Sequence, residues 1–131
     1  MNEMELNILT PEKRFFNGKV SELVIKGEGG YMGILPGHTP LVMAMIPHVA
    51  TLKIDNESKQ IFISTGLLSL ANDKIDIVCE ACEWPKDIDK IRAEKSKERA
   101  EERLKEKKDN LDMKRAQYSL IRALARLQIA E

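Results

Sequence analysis

Hydrophobic positions along this chain change period once. Up to Pro85 they come in short runs, each closed by Gly, Pro or an Asp/Asn turn signal. Leu6-Asn7-Ile8-Leu9 alternates and stops at Thr10-Pro11, and Val20 to Lys26 stops at Gly27-Glu28-Gly29-Gly30. Leu41 to Ile46 lies between Pro40 and Pro47. Thr51 to Ile54 meets Asp55-Asn56, with Gln60 to Ser64 as its hairpin partner, and Leu67 to Leu70 and Lys74 to Val78 flank Ala71-Asn72-Asp73. Short strands at this spacing, with no helical stretch between them, predict an antiparallel β-sandwich or barrel. Parallel pairing would need crossover helices, for which there is no room.

After Pro85 there is no Gly and no Pro, and the Lys/Glu/Arg/Ala/Leu composition is that of exposed helix. The pattern predicts a helix from an N-cap at Asp87 to about Lys107. An interruption follows at Lys108-Asp109-Asn110, then a second helix from near Leu111, capped by Asp109 or Asn110. In the second helix Met113, Ala116, Leu120, Ala123, Leu127 and Ala130 form an apolar stripe with small residues interleaved, suited to close packing. The first helix holds few large apolar residues (Ile88, Ile91, Leu104). Its charges are sorted by sign, with Glu94, Glu98, Glu102 and Glu106 spaced by four, and Lys95, Arg99, Arg103 and Lys107 likewise.

The expected organisation is therefore an all-β sandwich over 1–85 and an α-helical hairpin of two antiparallel helices over 86–131. The tail has too little apolar surface to stand alone and must pack on something. Its turn lacks Gly and Pro, and Asp or Asn costs only about 0.7 kcal/mol inside a helix relative to Ala. The hairpin is thus able to open toward one long helix, which makes it a bistable element.

Charge narrows the function. Residues 1–86 carry eight Lys/Arg against eleven Asp/Glu, and residues 87–131 carry thirteen against ten. Such a balance speaks against a nucleic-acid-binding sandwich with a helical arm. No apolar run approaches the roughly 18 residues of a membrane span, and Met1 to Glu5 is no signal peptide. The chain reads as cytosolic, or as held at a membrane only through a partner.

Candidate chemistry is sparse in the first 85 residues. Cys79 and Cys82 are spaced C-x-x-C, as in a redox pair or half a zinc site. They end the run Ile75 to Val78, however, so a strand would turn them to opposite faces as ordinary thiols. Gly27, Gly29, Gly30 and Gly33 do not form G-x-G-x-x-G and are read as turn residues. His38 and His48 have no metal-spaced partner, and no carboxylate pair is placed for acid/base work. This half reads as a binding module, with an enzyme as the weaker alternative.

In the tail, Arg92, Arg99 and Arg103 share one helix face, and Arg115, Arg122 and Arg126 repeat their spacing. Folding at Asp109-Asn110 brings Arg92 opposite Arg126 and Arg99 near Arg122. Converging guanidiniums repel unless acids or a polyanion lie between them, and phosphate suits their bidentate geometry. Solvated arginines, or arginines paired with nearby Glu, are the alternative.

The segment Gly33-Ile34-Leu35-Pro36-Gly37-His38-Thr39-Pro40-Leu41, with Thr10-Pro11-Glu12 and Ser64-Thr65-Gly66-Leu67-Leu68, resembles the epsilon subunit family of bacterial F-type ATP synthases. In that family G-I-L-P-G-H-x-P-L and S-G-G-x-L segments recur in a β-sandwich followed by two helices. Ile88-Asp89-Lys90-Ile91-Arg92-Ala93 also matches the I/L-D-x-x-R-A motif of members that bind ATP in the folded hairpin. The resemblance implies a non-catalytic central-stalk subunit, peripheral on the cytoplasmic face of the bacterial membrane and not inserted in it. Its implied partners are the gamma subunit, the membrane c-ring and, with the tail extended, the alpha/beta catalytic head, where the tail inhibits ATP hydrolysis. Nucleic acid is not among them.

By position, the resemblance makes Glu83, Ile88, Asp89, Arg92, Ala93, Arg99, Arg122 and Arg126 the site for ATP as a regulatory ligand. Asp89 and Glu83 would lie by the base and the arginines around the phosphates; a need for Mg2+ is left open. Glu28, Tyr31, Pro36, Gly37 and His38 would face the ring. Tyr31 stands where the family often has an acid, Thr65 where it usually has glycine, and Trp84-Pro85-Lys86 where a polar segment is usual.

Overall fold

The computed structural model describes residues 2–106 and 109–131. Ten strands come first: β1 (Met4–Leu9), β2 (Arg14–Val20), β3 (Glu22–Gly27), β4 (Gly30–Ile34), β5 (Leu41–Met45), β6 (His48–Ile54), β7 (Glu57–Ile63), β8 (Gly66–Ala71), β9 (Lys74–Cys79) and β10 (Cys82–Glu83). A 3-10 turn at Pro85–Asp87 leads to α1 (Lys90–Glu106) and α2 (Asn110–Ile129). The strands hydrogen-bond in the order β10-β7-β6-β3-β5-β8-β9-β1-β2, with β4 on β3. The path folds over on itself, so one face of each long strand meets in a single core that includes Leu6, Ile8, Leu23, Ile25, Leu52, Ile61, Ile63, Leu68 and Ile77.

The sandwich is antiparallel as expected, except at one place. β1 and β9 pair in parallel, Leu6 beside Ile75 and Ile8 beside Ile77. No crossover helix is required there, because all the intervening strands make the connection. Two tight hairpins set the register elsewhere. Asp55 and Asn56 join β6 to β7, and Asn72 and Asp73 join β8 to β9, all four at positive φ. Two adjacent residues at positive φ match the twist of two-residue hairpins, and Asn and Asp tolerate that conformation. Gly66 is needed for a different reason: a Cβ there would collide with the Val78 carbonyl and lie 2.8 Å from the Cα of Cys79.

The run Val20 to Lys26 is not one strand. Val20 closes β2, and β3 begins at Glu22. The cysteines also depart from expectation. The chain turns at Glu80-Ala81, where Glu80 N–H donates to Thr65 and Ser64 N–H donates to Ala81. Cys79 and Cys82 therefore end up on successive strands that do not pair, β9 and β10, both buried in the same core. The hydrogen bond with Cys79, reinforced by burial, pushes the Cys82 thiol well above its ordinary range.

The helices pack through small residues. Ala93 and Ala100 of α1 and Ala116 and Ala123 of α2 are buried, each pair seven apart. That spacing keeps them on one helix face and lets two backbones approach closely. The expected stripe residues Leu120 and Leu127 are only half-buried. A second face of α2 docks the hairpin on β6 and β7, where Val49, Phe62, Ile88 and Ala125 form a small separate core. This docking also moves the first N-cap. Ile88 stays extended, at φ −79° and ψ 127°, with its side chain in the second core. The helix therefore starts two residues later than predicted, with Asp89 accepting from the Arg92 N–H at 3.0 Å. Asp109 caps α2, accepting from the Asp112 N–H at 2.8 Å. The expected helix end at Lys107 and the interruption at Lys108 lie outside the described residues.

Candidate nucleotide site between sandwich and hairpin

Asp89, fixed by its capping bond, stands at the start of α1, and Arg92 follows one turn later. Antiparallel return of α2 brings its last turn, carrying Arg126, back to the same end. Arg126 donates from Nε to Glu83 Oε1 at 2.8 Å and from Nη2 to Oε2 at 3.4 Å. Its guanidinium also lies 4.5 Å from the centre of the Phe62 ring. Strand β10, the 3-10 turn and both helices thus enclose a cavity of about 300 Å³ lined by Glu83, Asp87, Asp89, Arg92, Ala93, Ser96 and Arg126.

Of the eight residues named from the sequence, five line this cavity: Glu83, Asp89, Arg92, Ala93 and Arg126. Ile88 is buried beneath it in the second core. Arg99 and Arg122 do not line it. Each instead donates to the serine three residues earlier, Arg99 to Ser96 at 3.3 Å and Arg122 to Ser119 at 3.0 Å. Seven residues of helix advance about 10 Å, so sharing a face with Arg92 does not bring Arg99 to the same height. Asp87 and Ser96 were missed; Asp87 was read as a cap and Ser96 lay in a charged run.

Chemically the cavity is divided. The carboxylates of Glu83, Asp87 and Asp89 suit N–H donors, and Arg92 and Arg126 suit phosphate oxygens. Its volume is at the small end of ligand pockets, which run about 300–1,000 Å³. Among the described residues, no group of three or more His, Cys, Asp or Glu is placed to hold a metal ion.

The residues expected at a ring interface fall into two places. Glu28 and Tyr31 belong to the β3–β4 hairpin, with Lys26 Nζ 5.1 Å from the centre of the Tyr31 ring. Pro36, Gly37 and His38 lie at the other end of β4, in a turn where the Asp73 carboxylate accepts the Gly37 N–H at 2.8 Å. An apolar band crosses the outer face of β5, β8, β9 and β1, where Ala44 pairs with Leu67, Leu67 with Val78, and Val78 with Leu9. Val42, Leu67 and Val78 are 75%, 58% and 57% exposed. Adjacent apolar residues in a strand, such as Leu67-Leu68 or Ile77-Val78, were the available signal, since one of each pair must face out.

Residues 3–85 match the family described as the ATP synthase delta/epsilon chain beta-sandwich domain, and residues 86–131 match its long alpha-helix domain. The chain belongs to the ATP synthase epsilon chain family. The epsilon chain of Clostridium novyi is 41% identical over 126 residues, covering 95% of each chain. That of Clostridium kluyveri is 42% identical over 128 residues, covering 96% of each. In fold, the chain is similar to a chain of the Euglena gracilis mitochondrial ATP synthase, with a TM-score of 0.82 at 19% identity, covering 95% of this chain and 79% of that one. A chain of the Tetrahymena thermophila mitochondrial ATP synthase central stalk and c-ring gives a TM-score of 0.57 at 16% identity, covering 96% and 92%. Among the described residues of this epsilon-family chain, no helix is long and apolar enough to cross a membrane.

Proposed function

We propose that this chain is the non-catalytic central-stalk subunit of an F-type ATP synthase, with a hairpin that restrains ATP hydrolysis and is held closed by ATP. The observation that carries the regulatory part is the cavity between Asp89 and Arg92 of one helix and Arg126 of the other. Its walls exist only while the hairpin is folded against the sandwich. A nucleotide lying there, its base by Glu83 and Asp89 and its phosphates by Arg92 and Arg126, bridges both helices and stabilises the closed form. Opening has only a modest opponent, since the helix contact is mostly alanine and the docking core is small. ATP biases the equilibrium only by its affinity difference between the two forms.

The exposed band at Leu67 and Val78 supports seating on the gamma subunit, since contiguous exposed apolar surface marks interaction sites. The loops bearing Glu28, Tyr31 and Pro36 to His38 would meet the c-ring. The extended hairpin would reach the alpha/beta head, and attachment to the cytoplasmic face of the membrane would be through these partners alone. Calorimetric titration of the whole chain with ATP tests the sensor, with saturable binding expected and weakened by Arg92→Ala or Arg126→Ala. Absence of ATP binding by the unmodified chain would refute it. Removal of residues 87–131 should raise ATPase activity of the assembled complex under inhibiting conditions; unchanged hydrolysis would refute the brake.

A further inference from the structure

The two helices carry one motif twice. Asp89, Arg92, Ser96, Arg99 and Arg103 recur twenty-three positions later as Asp112, Arg115, Ser119, Arg122 and Arg126. The contact alanines Ala93 and Ala100 recur as Ala116 and Ala123. Local geometry repeats as well, with Arg99 donating to Ser96 and Arg122 to Ser119. In an antiparallel hairpin such a repeat creates an approximate two-fold axis across the helices. That axis relates the Arg92/Arg126 end to an Arg115/Arg103 end.

The second end has matching space. Arg103, Glu106, Asp112 and Arg115 line a cavity of about 400 Å³. Adjoining it through Arg103 and Arg115 is a groove of about 510 Å³ that adds Lys114, Tyr118, Ser119 and Arg122, bounded on the sandwich by Thr65 and Glu80. The charge balance differs from the first end. There, three carboxylates face two guanidiniums, and Glu83 already holds Arg126. Across both spaces at the second end four cations face Glu80, Glu106 and Asp112, and in the 510 Å³ groove the four face Glu80 alone. The side chains of Arg103 and Arg115 form no hydrogen bond or ion pair among the described residues. Like charges brought together by folding repel unless an anion lies between them, and guanidiniums bind phosphate oxygens in pairs.

We propose that this end of the hairpin is a second anion site, built by Arg103, Arg115 and Arg122 with Lys114 and Ser119, for a di- or triphosphate chain. The phosphate chain comes either free or on a nucleotide; Tyr118 and Leu111 at the rim offer apolar surface to a base. Occupancy ties α1 to α2 at the end away from the first cavity and so also favours the closed hairpin. The assignment borrows its chemistry from the proposed ATP site but is tested on residues outside that site.

The test titrates the isotope-labelled whole chain with inorganic triphosphate, and separately with ATP, following backbone amide signals by NMR. Saturable shifts are expected at Arg103, Arg115 and Ser119. They should weaken by about tenfold or more in Arg103→Gln/Arg115→Gln, each lost guanidinium removing a charge-assisted contact. They should persist in Arg92→Gln/Arg126→Gln. Gln is a good helix former, so both variants keep the helices. Equal response to triphosphate and ATP identifies the phosphate chain as the whole ligand, and tighter ATP binding with shifts at Tyr118 identifies a nucleotide. No saturation at this end with millimolar ligand, or saturation undiminished in Arg103→Gln/Arg115→Gln, overturns the second site. Loss confined to Arg92 and Ser96 signals overturns only the ATP-sensor reading.

Discussion

Glu83 of β10 and Arg126 of α2 form a two-point ion pair, 2.8 Å at its shorter bond, across the boundary between sandwich and hairpin. It joins the last strand to the last helical turn, and the Phe62 ring lies under the guanidinium. The side chains are 30% and 27% exposed, so the pair sits between the surface and buried regimes. Exposed pairs contribute about 0–1 kcal/mol, and breaking buried ones costs about 3–5. Glu83→Gln should therefore destabilise docking of the hairpin by about 1 kcal/mol. Limited proteolysis should show faster cleavage within 86–131, with the sandwich fragment resistant.

The alanine contact between the helices gives a sharper handle. Ala93 and Ala116 are 3% and 1% exposed, and neither has space for a larger side chain if the backbones are to stay close. Ala93→Leu or Ala116→Leu should cost about 1–3 kcal/mol by overpacking. The loss falls on the hairpin and not on the sandwich. Urea unfolding should split into two transitions, the first reporting the helices. Ile91→Ala, at a position 67% exposed, should move stability by no more than about 0.5 kcal/mol.

Much of this architecture was written in the local pattern. The hairpins at Asp55-Asn56 and Asn72-Asp73 join β6 to β7 and β8 to β9 because those residues accept positive φ between alternating strands. Strand β2 escaped notice because Phe15 and Phe16 are adjacent and Asn17-Gly18 reads as a turn. Strand β4 carries two glycines in five residues and exists through its pairing with β3. The parallel β1–β9 pair joins residues far apart in sequence, which no local window registers. In the candidate site, Asp89 and Arg92 are readable from one helical turn. The Glu83–Arg126 pair depends on how α2 docks, through Ala125 and Ile129, on a face the apolar stripe did not mark.

His48 should make stability depend on pH in a defined window. It is 3% exposed, and its Nδ1 donates to the Ile46 carbonyl at 2.6 Å, leaving Nε2 buried without a hydrogen-bond partner among the described residues. Burial holds its pKa below the ordinary 6.5; the Ile46 bond opposes this, and nearby Lys26 adds to it. The unfolded chain thus binds the proton first as pH falls. Stability is fully present above the unfolded value and declines as pH drops from about 6.5 toward the lower folded value. A thermal-melting series should show that slope, and His48→Phe should flatten it while losing about 1 kcal/mol for the Ile46 bond. An unchanged slope would remove His48 from the pH response.

The exposed band at Leu67 and Val78 separates folding from assembly. Both side chains point away from the core, on a face the hairpin does not cover, since α2 docks on β6 and β7. Leu67→Ser/Val78→Thr should leave the isolated chain within about 0.5 kcal/mol of its original stability, because exposed positions away from the core contribute little. If this face seats the gamma subunit, the same change removes apolar area from the centre of that interface, where a few buried side chains carry most of the binding energy. Affinity for gamma should then fall by at least about tenfold, roughly the 1.4 kcal/mol that a tenfold change represents. Pull-down of purified gamma with the doubly substituted chain measures this directly. Undiminished capture would move the gamma contact to another face of the sandwich, and the band would need another partner.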